Sequence, residues 1–156
     1  MYIPVSSEVE QVLRDLNPWW RTPSVVRPAP PNYRRPLVAE MTSRLRAEKG
    51  VIEVVRGPRQ VGKTTGIYQI IEDLLKGGKS GRDVLLVRFD LELLREAMAS
   101  LRNVLHWYTE SIRGRPLDDG ARTIIFLDEV HKLRRWHEEV KHVTDTFPVR
   151  MLLTGS

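Results

Sequence analysis

The sequence predicts an α/β fold, a three-layer αβα sandwich around a mostly parallel sheet, preceded by a helical and proline-rich segment. Three observations predict it. Four short runs, Val51–Arg56, Val84–Phe89, Thr123–Leu127 and Val149–Leu153, are rich in β-branched and other apolar residues and have the length of strands. Segments with helical spacing separate them, which calls for parallel pairing through right-handed crossovers. The runs are nearly continuous rather than alternating, as in strands covered on both faces.

Each element follows from its own residues. Ser6–Leu16 reads as a helix because Val9, Val12, Leu13 and Leu16 recur at helical spacing, with Ser6 or Ser7 as cap. Pro18 ends it. Six of the ten prolines lie from Pro18 to Pro36, which excludes a helix or central strand and predicts an extended connector carrying Trp19, Trp20, Arg21, Arg27, Arg34 and Arg35. Residues 1–36 are therefore read as one segment and residues 37–156 as the core. A second helix is expected from Pro36 to Lys49, with proline in its first turn and Gly50 as its stop. After the first strand, Thr64–Lys76 places Ile67, Ile70, Ile71, Leu74 and Leu75 on one face, with Gly77–Gly78 behind. Leu91–Arg113 is predicted as one long helix, since Leu91, Leu94, Met98, Leu101, Leu105, Tyr108 and Ile112 form a stripe. Gly114, Pro116 and Asp119–Gly120 break the chain before the third strand. A last helix, Arg135–Thr146, precedes the fourth. There is no internal repeat.

Composition narrows the functional classes. The chain has 156 residues, enough for one domain, with 41% hydrophobic and 29% charged residues, as in globular proteins. No apolar run approaches the ~18–20 residues of a membrane span. Met1–Glu10 lacks the basic flank and apolar stretch of a secretory signal, so a cytoplasmic location is expected. Cysteine is absent, which excludes disulfides, cysteine-ligated zinc and thiol nucleophiles. Asn and Gln number three each, a scarcity that fits a thermophilic source and compositional noise equally well. The net charge of +5 is modest and spread along the chain, so a solvated surface is its commoner meaning and nucleic-acid contact the rarer one.

Gly57–Thr64 reads GPRQVGKT and fits G-x-x-x-x-G-K-[ST] between a predicted strand and a predicted helix. Glycines at Gly57 and Gly62 let the backbone curl so that successive N–H groups, through Pro58, Arg59, Gln60 and Val61, face phosphate oxygens. The helix opening near Lys63 adds the positive end of its dipole. Lys63 supplies a mobile cation for the β- and γ-phosphates, and Thr64, followed by Thr65, supplies a hard oxygen for Mg²⁺. The plain alternative is a glycine-rich turn with a surface lysine, which the strand–loop–helix context disfavours.

Ile124–Glu129 reads IIFLDE, an apolar strand delivering two acids at its C-terminal end, where ligands sit in open α/β sheets. Asp128 is expected to hold Mg²⁺ through water, and Glu129 to orient and deprotonate an attacking water. Alone, two solvated acids capping a strand explain the pattern as well; the upstream phosphate loop tips the balance. Leu152–Ser156 reads LLTGS, and Thr154 and Ser156 are candidates to touch the γ-phosphate or the water, against the even alternative of a polar turn. Asp90 is read as a helix N-cap rather than a site residue. Asp128–His131 matches a D-E-x-H box, with His131 read as a surface histidine. The basic run Lys132, Arg134, Arg135, His137 and Lys141 around Trp136 is read as a solvated helix face with Trp136 packed inward. Trp19–Trp20 is read as packing rather than a stacking wall.

With these residues in place the chain resembles the AAA-type archaeal and bacterial P-loop ATPases. The resemblance rests on GPRQVGKTT at Gly57–Thr65, FLDEVHKLRRW at Phe126–Trp136, TGS at Thr154–Ser156 and NPWW at Asn17–Trp20. It implies the strand order 5-1-4-3-2, which sets Thr154 and Ser156 between the phosphate loop and the acids. It implies ATP and Mg²⁺ as ligands, with Arg34, Arg35 and the connector near the base. Members of this family continue with a fifth strand, a basic γ-phosphate residue and usually a C-terminal domain, so the expectation is a fragment, a truncated gene product or an N-terminal piece, with slow turnover unless a partner supplies an arginine finger. DNA or a partner protein would then be reached through the missing region, and oligomers are compatible with the pattern. An ATPase, a nucleotide-dependent switch and a helicase-type motor fragment stay open. A GTPase is disfavoured by the lack of N-K-x-D or T-K-x-D, and a small-molecule kinase by Glu129, which is suited to activating water.

Overall fold

The structure, a computed structural model, describes residues 3–23, 25–47, 52–57, 62–97, 100–118 and 123–155. The first helix, α1 (Ser7–Leu16), starts where Ser6 Oγ accepts the Val9 N–H at 3.2 Å, a cap worth about 1 kcal/mol. It buries Val9 and Leu13. The chain then turns through one 3₁₀ turn, Pro18–Trp20, and crosses the connector to α2 (Pro36–Arg46). There follow β1 (Ile52–Arg56), α3 (Lys63–Lys76), β2 (Val84–Arg88), α4 (Glu92–Ala97), α5 (Leu101–Tyr108), β3 (Ile124–Asp128), α6 (Trp136–Thr146) and β4 (Arg150–Gly155).

The four strands form one parallel sheet in the order β1-β4-β3-β2. β4 therefore lies between β1 and β3, as the order 5-1-4-3-2 requires. The helices pack about the sheet, and the core centres on β2, β3 and β4, whose apolar residues are almost wholly buried. Among the described residues no helix is long and apolar enough to cross a membrane.

The outer edge of β2 is closed by side chains instead of another strand. Asn17, fully buried, accepts the Leu86 N–H at 2.7 Å and donates to the Leu86 carbonyl at 3.0 Å. Its amide also donates to the Leu13 carbonyl at 2.7 Å, at the end of α1. Trp19 and Trp20 each donate an indole N–H to the Val84 carbonyl, at 3.0 and 2.7 Å. Trp20 stacks on Tyr108, with ring centroids 5.5 Å apart. The two tryptophans are thus packing residues, and NPWW satisfies backbone groups that an open edge would leave for pairing with another chain. Gly81 is needed beside them, because a Cβ there would sit 2.2 Å from the Trp19 carbonyl oxygen. Replacing Asn17 by Leu leaves a buried N–H and C=O of Leu86 without partners. Chemical denaturation is expected to show a loss of about 2–4 kcal/mol.

Four expectations need correction. The stretch Leu91–Arg113 is not one helix. Ser100 is extended (φ −163°, ψ 154°) and its hydroxyl caps α5 by accepting the Asn103 N–H, so α4 and α5 are separate and a π-helical turn, Thr109–Arg113, ends the region. Met98 lies outside the described residues. The second helix stops at Arg46 rather than Lys49. Ala47 is extended, and the Leu45 carbonyl, which would accept the Lys49 N–H in a helix carried on to Lys49, accepts Arg150 Nη1 at 2.7 Å. Lys49 and Gly50 lie outside the described residues. The sheet is not covered on both faces throughout: Ile52 and Val54 of β1 are 44% and 48% exposed. Asp90 does not cap a helix; its carboxylate is held by Arg88 at 2.7 Å.

Candidate functional site

The C-terminal ends of β1, β4, β3 and β2 meet the start of α3. Gly62 takes a left-handed conformation (φ 86°, ψ 19°) that only glycine adopts freely, and from it α3 begins at Lys63. The ammonium of Lys63 donates to the carbonyls of Gly57 (2.5 Å) and Gly155 (2.9 Å), tying the ends of β1 and β4 to the helix. A phosphate oxygen competes well with these neutral acceptors, since charge-assisted bonds are about twice as strong as neutral ones. Thr65 is exposed beside the same cleft. Pro58, Arg59, Gln60 and Val61, expected to line the phosphates, lie outside the described residues, as does Ser156.

Asp128 is buried, its side chain 1% exposed. It accepts from Thr64 Oγ1 at 2.9 Å and from Thr154 Oγ1 at 2.5 Å. Thr154 in turn accepts the Glu129 N–H at 3.0 Å. One hydrogen-bonded line therefore runs from α3 through β3 to β4 and back to Glu129. Glu129 is left-handed (φ 56°, ψ 44°), an uncommon state for a non-glycine residue that costs on the order of 1 kcal/mol. Such strain at the end of a strand turns the side chain off the strand path. His131 lies at the surface as expected, yet its Nε2 is 3.4 Å from Glu129 Oε2.

The donor set fits Mg²⁺. Thr64 and Asp128 present hard oxygens side by side, and Mg²⁺ takes one or two protein oxygens together with phosphates and water. Among the described residues no group of three or more His, Cys, Asp or Glu forms an all-protein metal cage. A cleft of about 400 Å³ adjoins Lys63, with Tyr33, Arg35, Met41, Val55, Ile70 and Leu152 among its walls. Its lining is largely apolar, a character compatible with a nucleotide base, and Arg35, Arg56 and Lys63 are its basic members. Gln69 fixes that wall by donating to the carbonyls of Pro31 (2.9 Å) and Tyr33 (2.6 Å).

Of the two arginines expected near the base, Arg35 borders the cleft and approaches Gly62. Arg34 does not: it turns to Glu72 (2.5 Å) and Asp73 (3.0 Å) on α3. Burial pushes the Glu72 carboxyl up, but hydrogen bonds from Arg34 and Lys76 outweigh it and hold it below its ordinary value of 4.5. A lowered carboxyl contributes stability above pH 4.5 that is lost as pH falls through its folded value. Arg34→Met should therefore lower stability at pH 7 and flatten the acid side of the stability–pH curve, read by thermal melts from pH 7 to 3.

The basic run near α6 is solvated: Arg134, Arg135, His137 and Lys141 are exposed, while Trp136 packs against the core and on His137. Three site contacts carry no recognisable signal in the sequence. Those of Gln69 and Arg88 depend on partners from separate elements, and the His131–Glu129 contact depends on the left-handed turn at Glu129, although His131 itself stood in the D-E-x-H match.

A model of the family described as AAA domain matches residues 49–156. Among solved structures, a DNA replication initiation factor is similar at 20% identity and a TM-score of 0.46, over 77% of this chain and 36% of its own. PCH-2 of C. elegans is similar at 12% identity and a TM-score of 0.42, over 97% and 38%. The chain thus spans little more than a third of the length of either structure. A search of curated proteins gives no match.

Proposed function

The chain belongs to the AAA-domain family, and from that premise we propose that it binds Mg·ATP and hydrolyses it to ADP and phosphate, driving movement of an attached or partner domain. One observation carries the reading: Thr64, Asp128, Thr154 and Glu129 form a continuous hydrogen-bonded line beside Lys63 at the C-terminal end of the central strands. Lys63 binds the β- and γ-phosphates, with Gly57 through Thr65 as the cradle. Thr64 and Asp128 hold Mg²⁺, which when bound withdraws charge from the phosphates. Glu129 receives the proton of the attacking water, and Thr154 fixes the backbone that presents it. Ser156 is assigned a contact to the γ-phosphate or the water on sequence grounds alone. Residues 37–156 act as the ATPase core and 1–36 as its brace.

Calorimetry with Mg·ATP and Mg·GTP tests the binding half, and single-turnover phosphate release tests the chemistry. Heat with ATP, little with GTP, and slow release are expected. No heat with either triphosphate overturns the proposal. A second reading, a nucleotide-dependent switch with negligible hydrolysis, draws support from the His131–Glu129 contact, which engages the proposed base; binding without phosphate release would select it. A motor acting on DNA or RNA requires turnover stimulated by nucleic acid with a steep salt dependence. A cytoplasmic setting, oligomers and a partner engaged through further chain complete the proposal.

A further inference from the structure

Arg88 ends β2 directly opposite Asp128 in the register of the sheet. Its guanidinium forms a fork with Asp90, Nε to Oδ1 at 3.2 Å and Nη2 to Oδ2 at 2.7 Å. The same Nε lies 3.6 Å from Asp128 Oδ2, the oxygen that also accepts from Thr64. Nη1 reaches the Tyr68 hydroxyl on α3 at 3.4 Å. One cation is thus shared between an acid of the loop before α4 and the acid assigned to Mg²⁺. Lys63, the other cation nearby, spends its hydrogen bonds on two carbonyls.

Asp128 is buried with one hydroxyl donor on each oxygen, and neither donor cancels its charge. A buried carboxylate requires a counter-charge. Among the described residues Arg88 is its ion-pair partner. A divalent cation at Thr64 and Asp128 would occupy the same electrostatic position, within a few ångströms of a fixed positive group. The two are competitors.

We propose that Arg88 is a metal-responsive latch: it shares Asp128 with Mg²⁺, and metal entry takes Asp128 from it, leaving the Asp90 fork it already holds as its remaining ion pair beside the start of α4. Asp90 is then the second seat of the latch and sets how readily Mg²⁺ enters. This rests on the Mg·ATP reading, deepening the role of that site.

Opposite-signed variants provide the test, with binding as the readout. ATP affinity is measured by calorimetry in EDTA and in MgCl₂ for the wild type, Arg88→Met and Asp90→Asn. Arg88→Met removes the competitor, so the Mg²⁺-dependent tightening should grow about tenfold. Asp90→Asn frees Arg88 for Asp128, so the tightening should shrink. A merely structural role for the Arg88–Asp90 pair would move both variants the same way, and that result, or no change in either, overturns the latch. Wild-type protein that binds ATP without any Mg²⁺ effect overturns the metal reading itself. A loss of ATP affinity in EDTA that exceeds the loss for ADP in Arg88→Met would place Arg88 on the γ-phosphate and also overturn the latch. A nucleotide-free double-mutant cycle of thermal stability with Arg88→Met and Asp128→Asn checks the pair directly. The Arg88→Met penalty should diminish when Asp128 is already neutral; additive penalties contradict the proposal.

Discussion

Lys63→Ala is expected to lose ATP binding while keeping its fold. The ammonium links Gly57 and Gly155 in a half-buried position, so its removal leaves two carbonyls that water can reach. The melting temperature should fall little. A triphosphate, by contrast, loses the flexible cation that answers its β- and γ-charges. Two or more charge-assisted hydrogen bonds are involved, and the dissociation constant should rise more than about a hundredfold, to the point where calorimetry shows no saturable heat. Near wild-type affinity in a folded Lys63→Ala protein would remove the phosphate loop from the account.

Glu129→Gln should separate binding from chemistry. Gln is nearly isosteric and leaves the left-handed backbone and its hydrogen bond to Thr154 untouched. It cannot accept the proton of the attacking water. Single-turnover phosphate release is expected to fall by roughly 10²–10⁴, with ATP affinity retained. Unchanged turnover would take Glu129 out of the catalytic role. Unmeasurable turnover in the wild type, with binding intact, would favour the switch. In that case His131, 3.4 Å from the Glu129 carboxylate, becomes the first contact to remove.

Much of the fold was legible because its signals are local. Strand runs, the helix opening at Lys63, the two acids and the capping Ser6 are each specified within a few neighbouring residues, and they lie where expected. The break at Ser100 was not legible. The apolar stripe continues in phase across it from Leu94 to Leu101 and Leu105, so periodicity could not reveal a serine that turns extended to cap α5. The end of α2 was hidden for a related reason: the Leu45 carbonyl in its last turn is claimed by Arg150, 105 residues away.

The site divides the same way. Spacing alone nominated Lys63, Thr64, Asp128 and Glu129 as candidates, because G-x-x-x-x-G-K-[ST] and a strand-end acid pair are patterns along the chain. Which of their neighbours complete the site follows from the order β1-β4-β3-β2, which brings Thr154 to Asp128, Gly155 to Lys63 and Arg88 to within reach of Asp128. Period and motif encode what a residue can do. Its partner is set by strand order and register, and those emerge only when apolar faces distant in the chain are buried together.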